Sequence, residues 1–206
     1  MTFIPDSDGP SHFCRAFANM VIAWNQVEDQ ARGLLSSLVQ SNGSVAGFVA
    51  IRSLGNTSLT TALRASADYE EGPKKEHLLH FLNCMEAHRS YRNYYVHSLT
   101  GVGETHDGKG SAGVLLGWDV KGSVHHVQDY VLIEKLVEMG RQLDQLRLYA
   151  IRINWALRNR PDHRLYELAR KFDSDAWPDK PPVPKTLAKR RRSLRELSSR
   201  TQPSPE

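Results

Sequence analysis

Phe13, Phe17, Met20, Trp24, Val27, Ala31, Leu35 and Leu38 recur three and four residues apart. That spacing lays one apolar stripe along a helix. It predicts a long first helix, capped by Ser11 through the free amides of the first turn and ending near Asn42-Gly43. A second helical stretch starts near Ser44 and breaks at Gly55-Asn56. Asn56 or Thr57 is placed to cap its continuation through Leu59, Leu63 and Ala67. Residues 69–73 read as a turn, and a third long helix is expected over 74–98. Residues 100–112, rich in Gly, Thr and Asp, read as a loop. The runs 114–119 and 124–128 flank Lys121-Gly122, the pattern of a β-hairpin. A fourth long helix is expected over 129–159, with Leu132, Leu136, Leu143, Leu146, Ala150, Ile153 and Leu157 on its stripe and Pro161 beyond its end. A short helical piece over 164–172 precedes Pro178, Pro181, Pro182 and Pro184. The expected fold is all-α, a helical bundle with a small hairpin before the last long helix. Its parts are a loose leader over 1–10, a helical domain over 11–172, and a Pro-rich basic tail over 173–206, read as disordered.

The chain has 206 residues, 40% hydrophobic and 24% charged, enough for one domain with a core and a tail. It contains no apolar run of about 18 residues, so no membrane span is expected. Its acidic start lacks the basic and apolar regions of a secretory signal. Two cysteines, Cys14 and Cys84, exclude a disulfide scaffold and a four-cysteine zinc site. A cytoplasmic location is expected. The formal charge of +4 is uneven. From Pro181 onward, seven Lys/Arg against two acids give +5, which leaves −1 for the other 20 basic and 21 acidic residues. Such a tail suits a polyanion, or is simply a solvated end.

The segment Arg89-Ser90-Tyr91-Arg92-Asn93-Tyr94-Tyr95-Val96-His97-Ser98 carries the most chemistry. On a helix, Leu78, Phe81, Leu82, Met85, Val96 and Leu99 fall on one side. Arg92 lies inside that arc and Arg89 near its edge, while Asn93 and His97 stack at its border. A guanidinium on a buried seam is costly unless it is paired or serves a site. Arginine forks onto phosphate oxygens, and histidine suits proton transfer near neutrality. The plainer reading is an arginine paired with a buried acid and a histidine that satisfies a packing bond.

Arg92-Asn93-x-x-x-His97, late in a long helix, resembles the R-x4-6-H signature of the HEPN superfamily (higher eukaryote and prokaryote nucleotide-binding domains). The resemblance spans about residues 11–160. It implies an antiparallel four-helix bundle, usually homodimeric, in which two motifs line one cleft. It implies a metal-independent endoribonuclease, acting as a toxin or phage-defence effector, with RNA and a cognate antitoxin protein as partners. Other members bind nucleotides or RNA, or act as scaffolds, without cleaving. His97 would then move the proton of a ribose 2′-hydroxyl or of the leaving oxygen. Arg92 would stabilise the charged phosphorane, and Asn93 would orient His97 or the phosphate. The hairpin and the basic tail lie outside the family pattern.

Arg89, Tyr91 and Tyr95 are further candidates for binding RNA or nucleotide, the tyrosines by stacking on bases, although such tyrosines more often pack. Glu28, at the edge of the first helix's stripe, is a candidate orienting partner for Arg89 or Arg92. His77, His80, Cys84 and His88 share one side of the third helix, but ligands spread over so many turns do not meet at one ion. No metal site and no cofactor are expected.

Overall fold

The computed structural model describes residues 9–39, 45–104, 111–120, 124–158 and 177–185. Five helices and three strands follow in the order α1 (Gly9–Leu38), α2 (Val45–Ser53), α3 (Asn56–Asp68), α4 (Gly72–Ser98), β1 (Leu99–Glu104), β2 (Ser111–Val120), β3 (Val124–Leu132) and α5 (Ile133–Arg158). The described chain is therefore mostly helical with one small sheet. The expected helix end near Asn42-Gly43, the turn at Lys121-Gly122 and the short helical piece over 164–172 lie outside the described residues.

The apolar stripe of α1 becomes core. Phe13, Met20, Trp24, Val27, Ala31 and Leu35 are buried, with Phe17 and Leu38 packed at the margin. They meet Leu136, Leu143, Leu146, Ala150, Ile153 and Leu157 of α5 in one cluster. Burying such a side chain contributes about 1.5–3 kcal/mol, so the α1–α5 seam holds much of the molecule. At its far end, Ser37 Oγ donates to Asn154 Oδ1 at 2.7 Å and accepts from Arg158 Nε at 3.1 Å. The C-terminal ends of α1 and α5 thus lie together, and the two helices run the same way. α4 runs opposite to α5: His77 near its start reaches Tyr149, and its last residue leads into the sheet that feeds α5. α3 lies against α4, where Arg64 pairs with Glu86 at 3.3 Å.

Several boundaries differ from the sequence expectation. α1 begins at Gly9, two residues inside the expected leader, because a proline such as Pro10 fits a first helical turn. α3 starts after Gly55, with no side-chain cap. Asn56 is engaged elsewhere, its Nδ2 donating to Glu28 Oε1 of α1. The hairpin is part of an antiparallel sheet of order β1-β2-β3. Leu99–Glu104, at the start of the expected loop, is a strand with an irregularity between Leu99 and Gly101. β3 extends to Leu132, so α5 starts at Ile133 instead of near 129.

Gly113 explains how the sheet seats on the helices. A Cβ there would lie 2.6 Å from Leu99 Cδ1 and closer still to the ring of Phe13. Only glycine lets β2 approach the N-terminal turn of α1 so closely.

The Pro-rich stretch, read from composition as the start of a tail, lies along α4 over 177–185. Trp177 stacks on His77, with ring centroids 4.8 Å apart and planes at 17°. Lys180 Nζ meets Glu76 at 3.2 Å. Pro181 O accepts from His80 Nε2 at 2.7 Å, and Lys185 O accepts from Tyr91 OH at 2.9 Å.

Candidate functional site

The C-terminal half of α4 presents the motif. Its upstream turns bury Leu78, Phe81, Leu82, Met85 and His88, and its last turns bury Tyr95 and Ser98. This fixes the rotation of the helix. Arg89 and Arg92 are half-buried, and Asn93 and His97 are exposed. Arg92, expected inside the buried arc, is half-buried, and Asn93 and His97, expected at its border, are exposed.

Arg92 Nη1 donates to Asn93 Oδ1 at 3.1 Å. Arg92 Nε and Arg89 Nη1 are buried and have no hydrogen-bond partner among the described residues. Burying a polar donor unpaired costs about 1–3 kcal/mol, more for a charged group. An anion supplied from outside would satisfy both. The arginines are three residues apart on one helix, close enough to address one phosphate or two neighbouring ones. They also lie near the negative end of the α4 dipole, where cations are favoured.

The other candidates separate. Glu28 bonds Asn56 and not Arg89 or Arg92, so the structure does not bring it to the motif. Tyr95 is buried, its ring 6.1 Å from Tyr91 and 5.9 Å from Tyr94. It packs and is not offered to a base. Tyr91 is half-buried, with its hydroxyl engaged by the Lys185 carbonyl. Arg92 and His97 are five residues apart, which turns their side chains roughly 140° from each other around the helix axis.

A second polar group lies at the other end of α4. His77 Nδ1 and Tyr149 OH share a 2.7 Å hydrogen bond. His77 has its pKa lowered by burial first and then by the nearby Lys180. Burial pushes the Cys84 thiol up to about 11, and Tyr149 is raised by burial and by Cys84. Cys84 Sγ sits 3.6 Å from His80 Nε2, but that nitrogen already faces Pro181 O. Among the described residues no three His, Cys, Asp or Glu side chains converge as a metal would need. A thiol held protonated is also a poor ligand and nucleophile. This group binds the 177–185 segment to the bundle, a role the histidine spacing alone did not reveal.

His88 is buried, and burial lowers its pKa to about 4. It is neutral at physiological pH and has no view of the motif's exposed face. No helix among the described residues is long and apolar enough to cross a membrane. No family model matches the chain, and no curated protein or solved structure matches it significantly.

Proposed function

We propose that the chain is a HEPN-like, metal-independent endoribonuclease of the toxin or phage-defence kind, acting as a homodimer on RNA. The finer description of the body as a four-helix HEPN bundle belongs to the same proposal. The observation that carries it is the pair of buried, unpartnered guanidinium nitrogens on Arg89 and Arg92, beside Asn93 and His97. Desolvated donors without a partner suit an anion, and phosphate is the anion whose oxygens fit a guanidinium fork. Residues 89–98 contain no carboxylate to hold a divalent ion, so the nucleophile must be activated by a side chain. Within residues 89–98 the one imidazole is that of His97, and it is exposed. The ribose 2′-hydroxyl already lies next to its phosphate, and this proximity lowers the demand on the base. His97 accepts its proton, Arg92 offsets the charge that grows on phosphorus, the new bond from the 2′-oxygen to phosphorus forms as the bond to the 5′-oxygen breaks, and the leaving 5′-oxygen takes up the proton from the His97 imidazolium. The products are a 2′,3′-cyclic phosphate and a 5′-hydroxyl. An antitoxin would have to cover the Arg89–His97 surface.

The test is RNA incubated with the protein in excess EDTA, with product ends read by mass. Cleavage of RNA but not DNA, lost in His97→Ala and Arg92→Ala proteins of intact fold, is the expected result. Loss of activity in EDTA overturns the mechanism.

A second reading, a non-catalytic RNA-binding or scaffold protein, is favoured by a different observation. Tyr91 and Tyr95 are used for packing, and His97 stands in the last turn of α4, where a basic residue stabilises a helix end without doing chemistry. RNA bound tightly but never cut, equally by wild type and His97→Ala, selects it.

A further inference from the structure

The 177–185 segment is a strap held in place from outside. Its four prolines favour extended polyproline II backbone, which makes no internal hydrogen bonds. Contacts with α4 hold it instead. Trp177 stacks on His77, Lys180 meets Glu76, Pro181 O faces His80 Nε2, and Lys185 O accepts from Tyr91 OH. Two of these contacts run through imidazoles, and the two respond differently to a proton. His80 keeps its contact in either charge state, because the nitrogen that faces Pro181 O donates as imidazole or as imidazolium.

His77 is enclosed from three elements and is 7% exposed. Trp177 of the strap covers its ring at a centroid distance of 4.8 Å. Tyr149 of α5 shares a 2.7 Å hydrogen bond with its Nδ1. Glu76 and His80 flank it on α4, and Lys180 adds an ammonium from the strap. The Glu76 carboxylate is already paired with Lys180 at 3.2 Å. The Trp177 face attracts a cation, but the same face keeps out the water that would solvate one. The His77 pKa is accordingly lowered by burial first and by Lys180 next, with Glu76 acting in the opposite direction. Release of the strap takes Lys180 away and opens the Trp177 side of the ring to water.

We propose that the 177–185 strap is a latch that closes on α4 at neutral pH and opens as His77 takes up a proton. With the strap released, His77 lies nearer its ordinary 6.5, so protons favour the open form. Docking is complete above pH 6.5 and weakens as pH falls below it. Between pH 7.5 and 5.5 the open population rises by at most about tenfold, the proton-binding ratio for a group of pKa 6.5. A strap that leaves α4 also frees the hydroxyl of Tyr91, the residue before Arg92. The latch operates whether or not the neighbouring motif cuts RNA.

The experiment is fluorine NMR of the full chain labelled with 5-fluorotryptophan, between pH 7.5 and 5.5. Trp177→Phe assigns the Trp177 resonance. Trp24→Phe assigns that of Trp24, which is fully buried in the core and reports global unfolding. Saturation transfer reads a minor undocked state in slow exchange. The undocked Trp177 population is expected to grow by up to about tenfold toward pH 5.5 while Trp24 stays native. His77→Phe keeps a flat ring under Trp177 and takes up no proton, so its undocked population should not change with pH. His77→Gln tests the same point where the phenylalanine variant does not fold. A wild-type Trp177 signal independent of pH, a response that persists in the His77 variants, or a response shared by Trp24 each overturns the latch.

Discussion

His88 shows what a single buried residue adds. Its folded pKa of about 4 lies below the ordinary 6.5, and burial is the cause. The unfolded chain therefore binds a proton that the native protein refuses. Stability from this group is complete above pH 6.5 and is lost as pH falls through about 4. Between pH 7.5 and 5 the loss is about 2 kcal/mol. Urea denaturation at the two pH values should show it, and His88→Phe should remove that part of the pH dependence. An identical pH dependence in the variant would show that burial of His88 is not its source. The same scale shows which residues were legible. The position of Arg92 followed from helical rotation alone, because Leu78, Phe81, Leu82 and Met85 fix the buried side. The burial of Tyr95 did not follow. Tyr95 lies toward the side of α4 where Tyr91 meets the 177–185 segment, and no local pattern announces that contact. Glu28 was likewise a matter of partner choice: a half-buried carboxylate was readable, but not that Asn56 would reach it first.

Among the elements, the long helices α1 and α5 were legible because a stripe repeated over many turns has no competing reading. The sheet was half legible. β2 and β3 were signalled by β-branched runs, whereas β1 carries Gly101 and Gly103, which read as loop. Pairing with β2 overrides that local preference. The start of α5 slipped because Val131 and Leu132 fit either a helix stripe or a strand, and pairing with Gly113 and Ala112 decides for the strand. Gly113 then becomes a point of failure for the whole sheet. Adding one methyl drives it against Leu99 and the ring of Phe13, which is fully buried and has little room to turn. Overpacking of this kind costs about 1–3 kcal/mol. Gly113→Ala should lower the thermal midpoint accordingly, whereas Gly101→Ala, with nothing within 4 Å of its added carbon, should cost less. Equal losses from the two substitutions would mean that the sheet does not dock on α1 through Gly113.

At the scale of the whole molecule, the proposed chemistry meets a geometric difficulty that the proposed second copy would resolve. Arg92 is half-buried on one side of α4, and His97 is exposed roughly 140° around the axis. In one chain, the phosphate that Arg92 holds is therefore not the one His97 reaches most directly. In the proposed homodimer, two chains related by a two-fold axis with their α4 ends facing would set Arg92 of one copy across from His97 of the other. Light scattering at micromolar concentration should then give twice the 23.3 kDa of one chain. Mixed particles supply the sharper test. His97→Ala and Arg92→Ala proteins are each expected to be inactive alone. Co-expressed, they form mixed dimers in which one of the two composite sites keeps both an intact arginine and an intact histidine. Cleavage should return to a sizeable fraction of wild type, because half of the sites in each mixed dimer are complete. If each chain instead used its own Arg92 with its own His97, every site in the mixture would lack one of them and activity would stay at the background of the separate variants. A monomeric mass, or no recovery from verified mixed dimers, would reject the two-copy site and return the burden of catalysis to a single α4.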